Sequence, residues 1–201
     1  TDTVTPVNEK RSPIVPKLPP ADGPFGFAMG LSLDDMKSMT GDTPKLIDGT
    51  SNKYILPSAP KPNGSFTDYV VTVGSTTGLC AIRGIGGEIA TNRFGMQLKS
   101  KFEDLSDLLT EIYGHGDKTD SLLSGSIWKD ADDWMMGLLK KDRYLISLWR
   151  GDGKPLPNDI KTVALAANAK STSEGYLLLE YEFTNAEQCD DESKAAVKNS
   201  L

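Results

Sequence analysis

Residues Pro24 to Met39, PFGFAMGLSLDDMKSM, decide the fold, because here a polar, proline-rich leading stretch gives way to continuous globular sequence. Phe25-Gly26-Phe27 reads as an extended segment with both rings on one side, since strand side chains repeat with period two. Glycine between the rings lets another backbone come close. Ser32 then reads as a helix N-cap, its hydroxyl accepting from the amide near Asp35. Asp34 and Asp35 place negative charge where the helix dipole favours it. Leu33, Met36 and Met39 follow at helical spacing, and Gly41 supplies a left-handed stop.

Seventy residues on, FGMQLKSKFEDLSDLL repeats the theme from Phe94. Phe94-Gly95 stands for Phe25-Gly26, and Glu103-Asp104-Leu105 for Asp34-Asp35-Met36. Ser100 with Glu103 has the form of a capping box. Phe102, Leu105, Leu108, Leu109 and Ile112 make one broad stripe, too apolar to face water, and Gly114 ends the helix. Chance similarity and duplication are both open; under duplication the spacing implies two tandem units, not a solenoid.

Each helix leads into strands. Lys45 to Asp48 and Asn52 to Leu56 flank an Asp48-Gly49 turn, Phe66 to Val73 is rich in aromatic and β-branched residues, and Leu79 to Ile85 returns. In the second unit, His115 to Trp128 is a connecting stretch. Asp130 caps a helix over Ala131 to Lys141 with Trp134, Met135, Leu138 and Leu139 inward, and strands follow at 143–150, 160–169 and 175–183. Leu177, Leu179, Tyr181 and Phe183 point one way and Glu180 and Glu182 the other, so one sheet face is buried and the other at least partly wet. The fold class is therefore α+β: two successive helix-plus-antiparallel-meander units forming a sheet with helices packed on one face. Residues 1–23 form an extended tether or a strap, the strap form placing Ile14, Val15 and Leu18 in a groove of the fold. Residues 24–184 form a single body with units 24–93 and 94–184, and 185–201 a loosely held polar tail with a short helix near 193–198.

With 201 residues the chain can bury a core without metal or several disulfides. A formal charge of -6 argues against nucleic acid and against an anionic membrane surface. No apolar run approaches the roughly 20 residues that cross a bilayer, so the chain reads as soluble. It opens at Thr1 without an initiator methionine, which leads us to expect a leader removed by a signal peptidase or by design. The two cysteines leave two readings open. A Cys80–Cys189 bridge would pin the tail to the sheet in an exported protein; two free thiols would fit a cytoplasmic one.

Chemistry is sparse. Gly84-Ile85-Gly86-Gly87-Glu88 lacks the Lys-Ser/Thr ending of a phosphate loop and the following helix of a dinucleotide fingerprint, and reads as a strand end. No Gly-x-Ser-x-Gly elbow exists, Ser124-Gly125-Ser126 lacking its surroundings, and the single histidine, His115, lies between glycines. Asp34-Asp35, Glu103-Asp104 and Asp130-x-Asp132-Asp133 fall in first helical turns, where capping explains them. No calcium loop, metal site or cofactor motif is present. A hydrolase-like enzyme using acidic residues, or Cys80 as nucleophile, is the alternative class. Surface recognition is the main expectation, with Tyr54, Phe66, Tyr69, Trp128 and Trp149 as binding-surface candidates and another protein as partner.

The run FGFAMGLSLDDMK ahead of a meander, twice over, resembles small bacterial envelope proteins of uncharacterised function. The element order also resembles the helix-then-meander modules of the β-lactamase-inhibitor-protein type and of small outer-membrane assembly lipoproteins. It covers residues 24 to 184, its one motif being the helix start Gly30-Leu31-Ser32-Leu33-Asp34. The resemblance implies a non-catalytic protein-binding or accessory protein of the bacterial envelope, of inhibitor, immunity or assembly type, periplasmic or secreted. No binding residue carries over, and no lipid-attachment cysteine lies near Thr1.

Overall fold

A computed structural model describes residues 18–201; the tether-or-strap reading therefore falls mostly outside the described residues. Among these residues, nine antiparallel strands form one sheet. The first meander is β1 (Lys45–Leu46), β2 (Lys53–Leu56), β3 (Phe66–Gly74) and β4 (Gly78–Gly86). After the two-residue β5 (Ile89–Ala90), the second is β6 (Asp117–Leu122), β7 (Arg143–Trp149), β8 (Ile160–Ala169) and β9 (Glu174–Phe183). The order β1-β2-β3-β4-β9-β8-β7-β6 runs inward from each edge in chain order, and the last strand of each meander pairs with the other at the centre, Ile82 opposite Tyr181. β5 pairs with the start of β9.

The helices are α1 (Leu33–Thr40), α2 (Met96–Tyr113), α3 (Trp134–Leu139) and α4 (Ala186–Asn199). Met36 of α1, Leu98, Phe102 and Leu109 of α2, and Trp134, Met135 and Leu138 of α3 share one core with Val71, Ile82, Val163, Leu179, Tyr181 and Trp149 of the sheet. The ladder pairs Tyr54 with Val71, Val71 with Ile82, Ile82 with Tyr181, Tyr181 with Val163 and Val163 with Trp149, so these side chains share one face and α1 to α3 cover it. The opposite face carries Lys53, Arg83, Glu180 and Glu182, with Arg83 and Glu180 ion-paired across the β4–β9 seam.

Four expectations are corrected. Phe25-Gly26 is not extended: Pro24–Gly26 is a 3-10 turn with Phe25 at φ 54° and Gly26 at φ 79°. The helix assigned to Ser100 begins at Met96, because Asn92 Oδ1 accepts from the Met96 amide and Thr91 Oγ1 from that of Gln97, and the buried Leu98 belongs inside it. Glu103 is thus the eighth residue of α2 whereas Asp34 is the second of α1, so the local match between the two stretches does not extend to their helix starts. Within the stretch read as connecting, Asp117–Leu122 forms edge strand β6, held to β7 by backbone pairing and by Arg143–Asp120 at 2.9 Å.

The fourth correction concerns the tail, which is a 14-residue helix and not a loose end. Cys189 is buried and disulfide-bonded to Cys80, with Cα atoms 6.5 Å apart. Glu192 accepts from the amides of Thr76 and Thr77 at 3.2 and 2.7 Å in the β3–β4 turn, and Asn185 donates to the Leu79 carbonyl at 3.0 Å. Closing a loop of 109 residues stabilises by about 4–5 kcal/mol in the chain-entropy model.

Candidate functional site: an apolar groove beside α2

Two glycines of β4 create the site. At Gly84 a Cβ would come within 2.9 Å of both the Phe25 and Phe66 rings, so only glycine lets these rings lie on the sheet. Phe25 reaches that position through its left-handed backbone, a cost of roughly 1–2 kcal/mol that its contacts must offset. Its ring meets Phe66, Tyr69 and Tyr181 edge-on at 5.3, 4.8 and 5.7 Å, the geometry aromatic quadrupoles favour. The Lys61 amide donates to the Phe25 carbonyl at 2.9 Å, fixing the loop before β3 against the turn.

This aromatic wall faces α2 across a gap. Two adjoining depressions of about 360 and 430 Å³ share Phe66, Leu105 and Leu108 and form one groove open to solvent. Its floor is Leu177, Leu179 and Tyr181 of β9 with Gly86 of β4; one wall is Phe25, Lys61 to Phe66, the other Lys101 to Ile112 of α2. The apolar stripe of α2 is divided in use. Phe102 and Leu109 are buried and Leu105 half-buried, but Leu108 and Ile112 are 55% and 63% exposed on the rim. Two of the five residues of a stripe that sequence reasoning assigns to packing are therefore left uncovered by the described residues.

The floor is electrically neutral. Burial pushes the Tyr181 hydroxyl far above the ordinary tyrosine range, with neighbouring Tyr113 adding to the effect, and burial also raises Tyr113. Charged groups stay on the rim, as Lys61, Lys101, Asp104 and Glu111. Among the described residues no group of three or more His, Cys, Asp or Glu side chains is placed to hold a metal ion. Such a groove can hold an apolar chain segment.

The five aromatic candidates are not brought together. Phe66 lines the groove; Tyr69 and Trp149 are core residues, 1% and 0% exposed, and present no surface. Tyr54 is half-buried beside a second cleft of about 530 Å³ bounded by α1, the β3–β4 turn and α4. Trp128 is half-buried in the loop before α3, its amide donating to Ser126 Oγ at 3.2 Å. His115 is exposed. Cys80 is bonded to Cys189, so it is no nucleophile in this state. The groove residues Leu105, Leu108 and Ile112 carry a signal in the sequence, an apolar stripe wider than one contact face needs, but nothing in it says which part stays bare.

The fold and site together define an α+β protein with a disulfide-clamped C-terminal helix and an apolar groove between a helix and an antiparallel sheet. No family model matches the chain, and no curated protein or solved structure shows significant similarity to it.

Proposed function

We propose that this is a non-catalytic protein-binding or accessory protein of the bacterial envelope, of inhibitor, immunity or assembly type, periplasmic or secreted, which takes an apolar segment of another protein into the groove beside α2. The observation that carries this reading is the pair Leu108 and Ile112, exposed on the rim of a groove whose floor is buried Leu177, Leu179 and Tyr181. Apolar anchors entering such a groove supply most of the binding free energy in helix-in-groove and extended-peptide recognition. The disulfide supports an oxidising compartment over a cytoplasmic protein with free thiols. No helix among the described residues is long and apolar enough to cross a membrane.

The test is site-specific photo-crosslinking in the native host from position 108. A discrete adduct that disappears when Ile112→Glu is added supports the reading. An adduct pattern unchanged by that substitution refutes it.

A further inference from the structure

We propose that the Cys80–Cys189 bond is a site of thiol–disulfide exchange with an external dithiol, and that its reduction releases α4 from a body that stays folded. The groove beside α2 plays no part in this latch.

α4 is held unlike the other helices. Cys189 is its one buried residue, and among the described residues α4 alone of the four helices contributes nothing to the hydrophobic core. Burial of an apolar face is what normally fixes a helix of this length, because a free helix of 14 residues is marginal in water. Around the disulfide the remaining contacts are polar and peripheral. Glu192 accepts from the Thr76 and Thr77 amides, Asn185 donates to the Leu79 carbonyl, and Ser193 and Ser51 share a hydrogen bond at 3.2 Å. Glu187 meets Lys161 at 3.7 Å with its side chain largely exposed, a pair worth little in water. The close seat of α4 depends on bare backbone at Gly74, where a Cβ would lie 2.5 Å from Glu192 Oε2 and 3.1 Å from Cys189 Sγ.

The sheet side of the bond tolerates reduction. Cys80 also lies outside the core, at an irregularity of the ladder where Thr72 pairs with Ala81 and Val73 with Leu79. The Thr72 and Gly78 carbonyls are 3.3 and 3.4 Å from its sulfur, so a thiol there has acceptors in place. The β4–β9 seam begins beyond it, at Ala81.

Access comes from the cleft of about 530 Å³ between α1, the β3–β4 turn and α4, which Cys189 lines. Peripheral elements open locally more often than cores, so fraying of α4 bares the bond. One thiolate of the dithiol bonds to Cys189 Sγ while the Cys80–Cys189 bond breaks, and Cys80 leaves as a thiolate that takes a proton. The second thiolate of the dithiol then displaces Cys189, so the reductant ends as a disulfide and the chain gains two electrons and two protons. Release of α4 removes the wall made by Cys189, Glu192 and Ala196, opening Leu33 and Tyr54 on the rest of the cleft to solvent.

The test is backbone NMR of the full chain at neutral pH, first oxidised, then in dithiothreitol, then reoxidised with diamide. In dithiothreitol the helical Cα shifts of residues 186–199 should shrink by at least about threefold, as expected of an undocked helix of this length. The sheet resonances of Ile82, Val163 and Tyr181 should stay dispersed, and reoxidation should restore the first spectrum. The Cys80→Ser chain should give the released spectrum without reductant. Helical shifts that persist in α4 once both thiols are free overturn the latch. Sheet resonances that collapse together with those of α4, in either sample, overturn it as well, since the bond is then a staple of the whole fold. A bond that dithiothreitol reduces only in denaturant also overturns it.

Discussion

At the scale of single residues, the most informative positions are those where a side chain is missing or mismatched. Gly84 holds the groove's aromatic wall, and Gly84→Ala should displace Phe25 and Phe66 at a cost of about 2 kcal/mol, read by urea denaturation. Ser147 is the reverse case. Its hydroxyl is buried at 1% exposure with no hydrogen-bond partner among the described residues, so Ser147→Ala should raise stability by about 1 kcal/mol, against the usual direction of core substitutions. Ile112→Glu should change the unfolding free energy by no more than about 0.5 kcal/mol while removing the adduct formed from position 108, because the side chain is on the rim. Local rules were legible at this scale where they acted alone: the Ser32–Asp35 capping box is present in both directions, at 3.1 and 3.0 Å. They misled where tertiary packing chose between options. Ser100-Lys101-Phe102-Glu103 has the form of a box, yet burying Leu98 in the core extends the helix one turn earlier. Phe25 looked extended because its left-handed turn is justified only by the rings and the glycine it meets from elsewhere in the chain.

At the scale of elements, α4 shows how a polar sequence can be a fixed part of a fold. Only a short helix near 193–198 is legible in its polar sequence; what holds the whole of α4 is one disulfide and a carboxylate. Glu192 is kept below the usual carboxylate range mainly by the Thr77 hydroxyl, with the Thr76 and Thr77 amides and Ser75 adding to it. Because its folded pKa is depressed, its contribution is present above the unfolded value near 4.5 and lost as pH falls through the lower, folded value. The protection factors of α4 amides and of the Thr77 amide, corrected for the intrinsic exchange rate at each pH, should therefore fall in acid below that point. Glu192→Gln should exchange fast at neutral pH and lose the dependence. Replacing Cys80 and Cys189 by alanine should lower stability by roughly 2–5 kcal/mol. β6 escaped sequence reading for a related reason: Asp117-Lys118-Thr119-Asp120 has no apolar alternation, since it is an edge strand whose charges pair with Arg150, Glu103 and Arg143. Such charges also discourage pairing with another sheet.

At the scale of the whole molecule, strands β3, β4, β7, β8 and β9 fall within a residue of their sequence-read bounds, because aromatic and β-branched runs between glycine turns mark them out. Their mutual order was not legible, since nothing local dictates that β4 and β9 meet. That seam makes one sheet of the two meanders, and unfolding should be a single transition by circular dichroism and by tryptophan fluorescence alike. Expressed apart, residues 18–93 and 94–201 would each present a long unpaired strand, β4 or β9, and should elute from size-exclusion columns as aggregates. Two separate transitions, or a soluble monomeric half, would show that each meander stands alone.

The central seam also sets a timetable. β4 is complete at residue 86, but its partner begins only at residue 174, so during synthesis at about 5–20 residues per second its edge waits roughly 4–18 s for a neighbour. For that interval the nascent chain displays an open strand beside an unfilled aromatic cluster. Its survival in the cell depends as much on whatever shields this edge in those seconds as on the finished protein's stability.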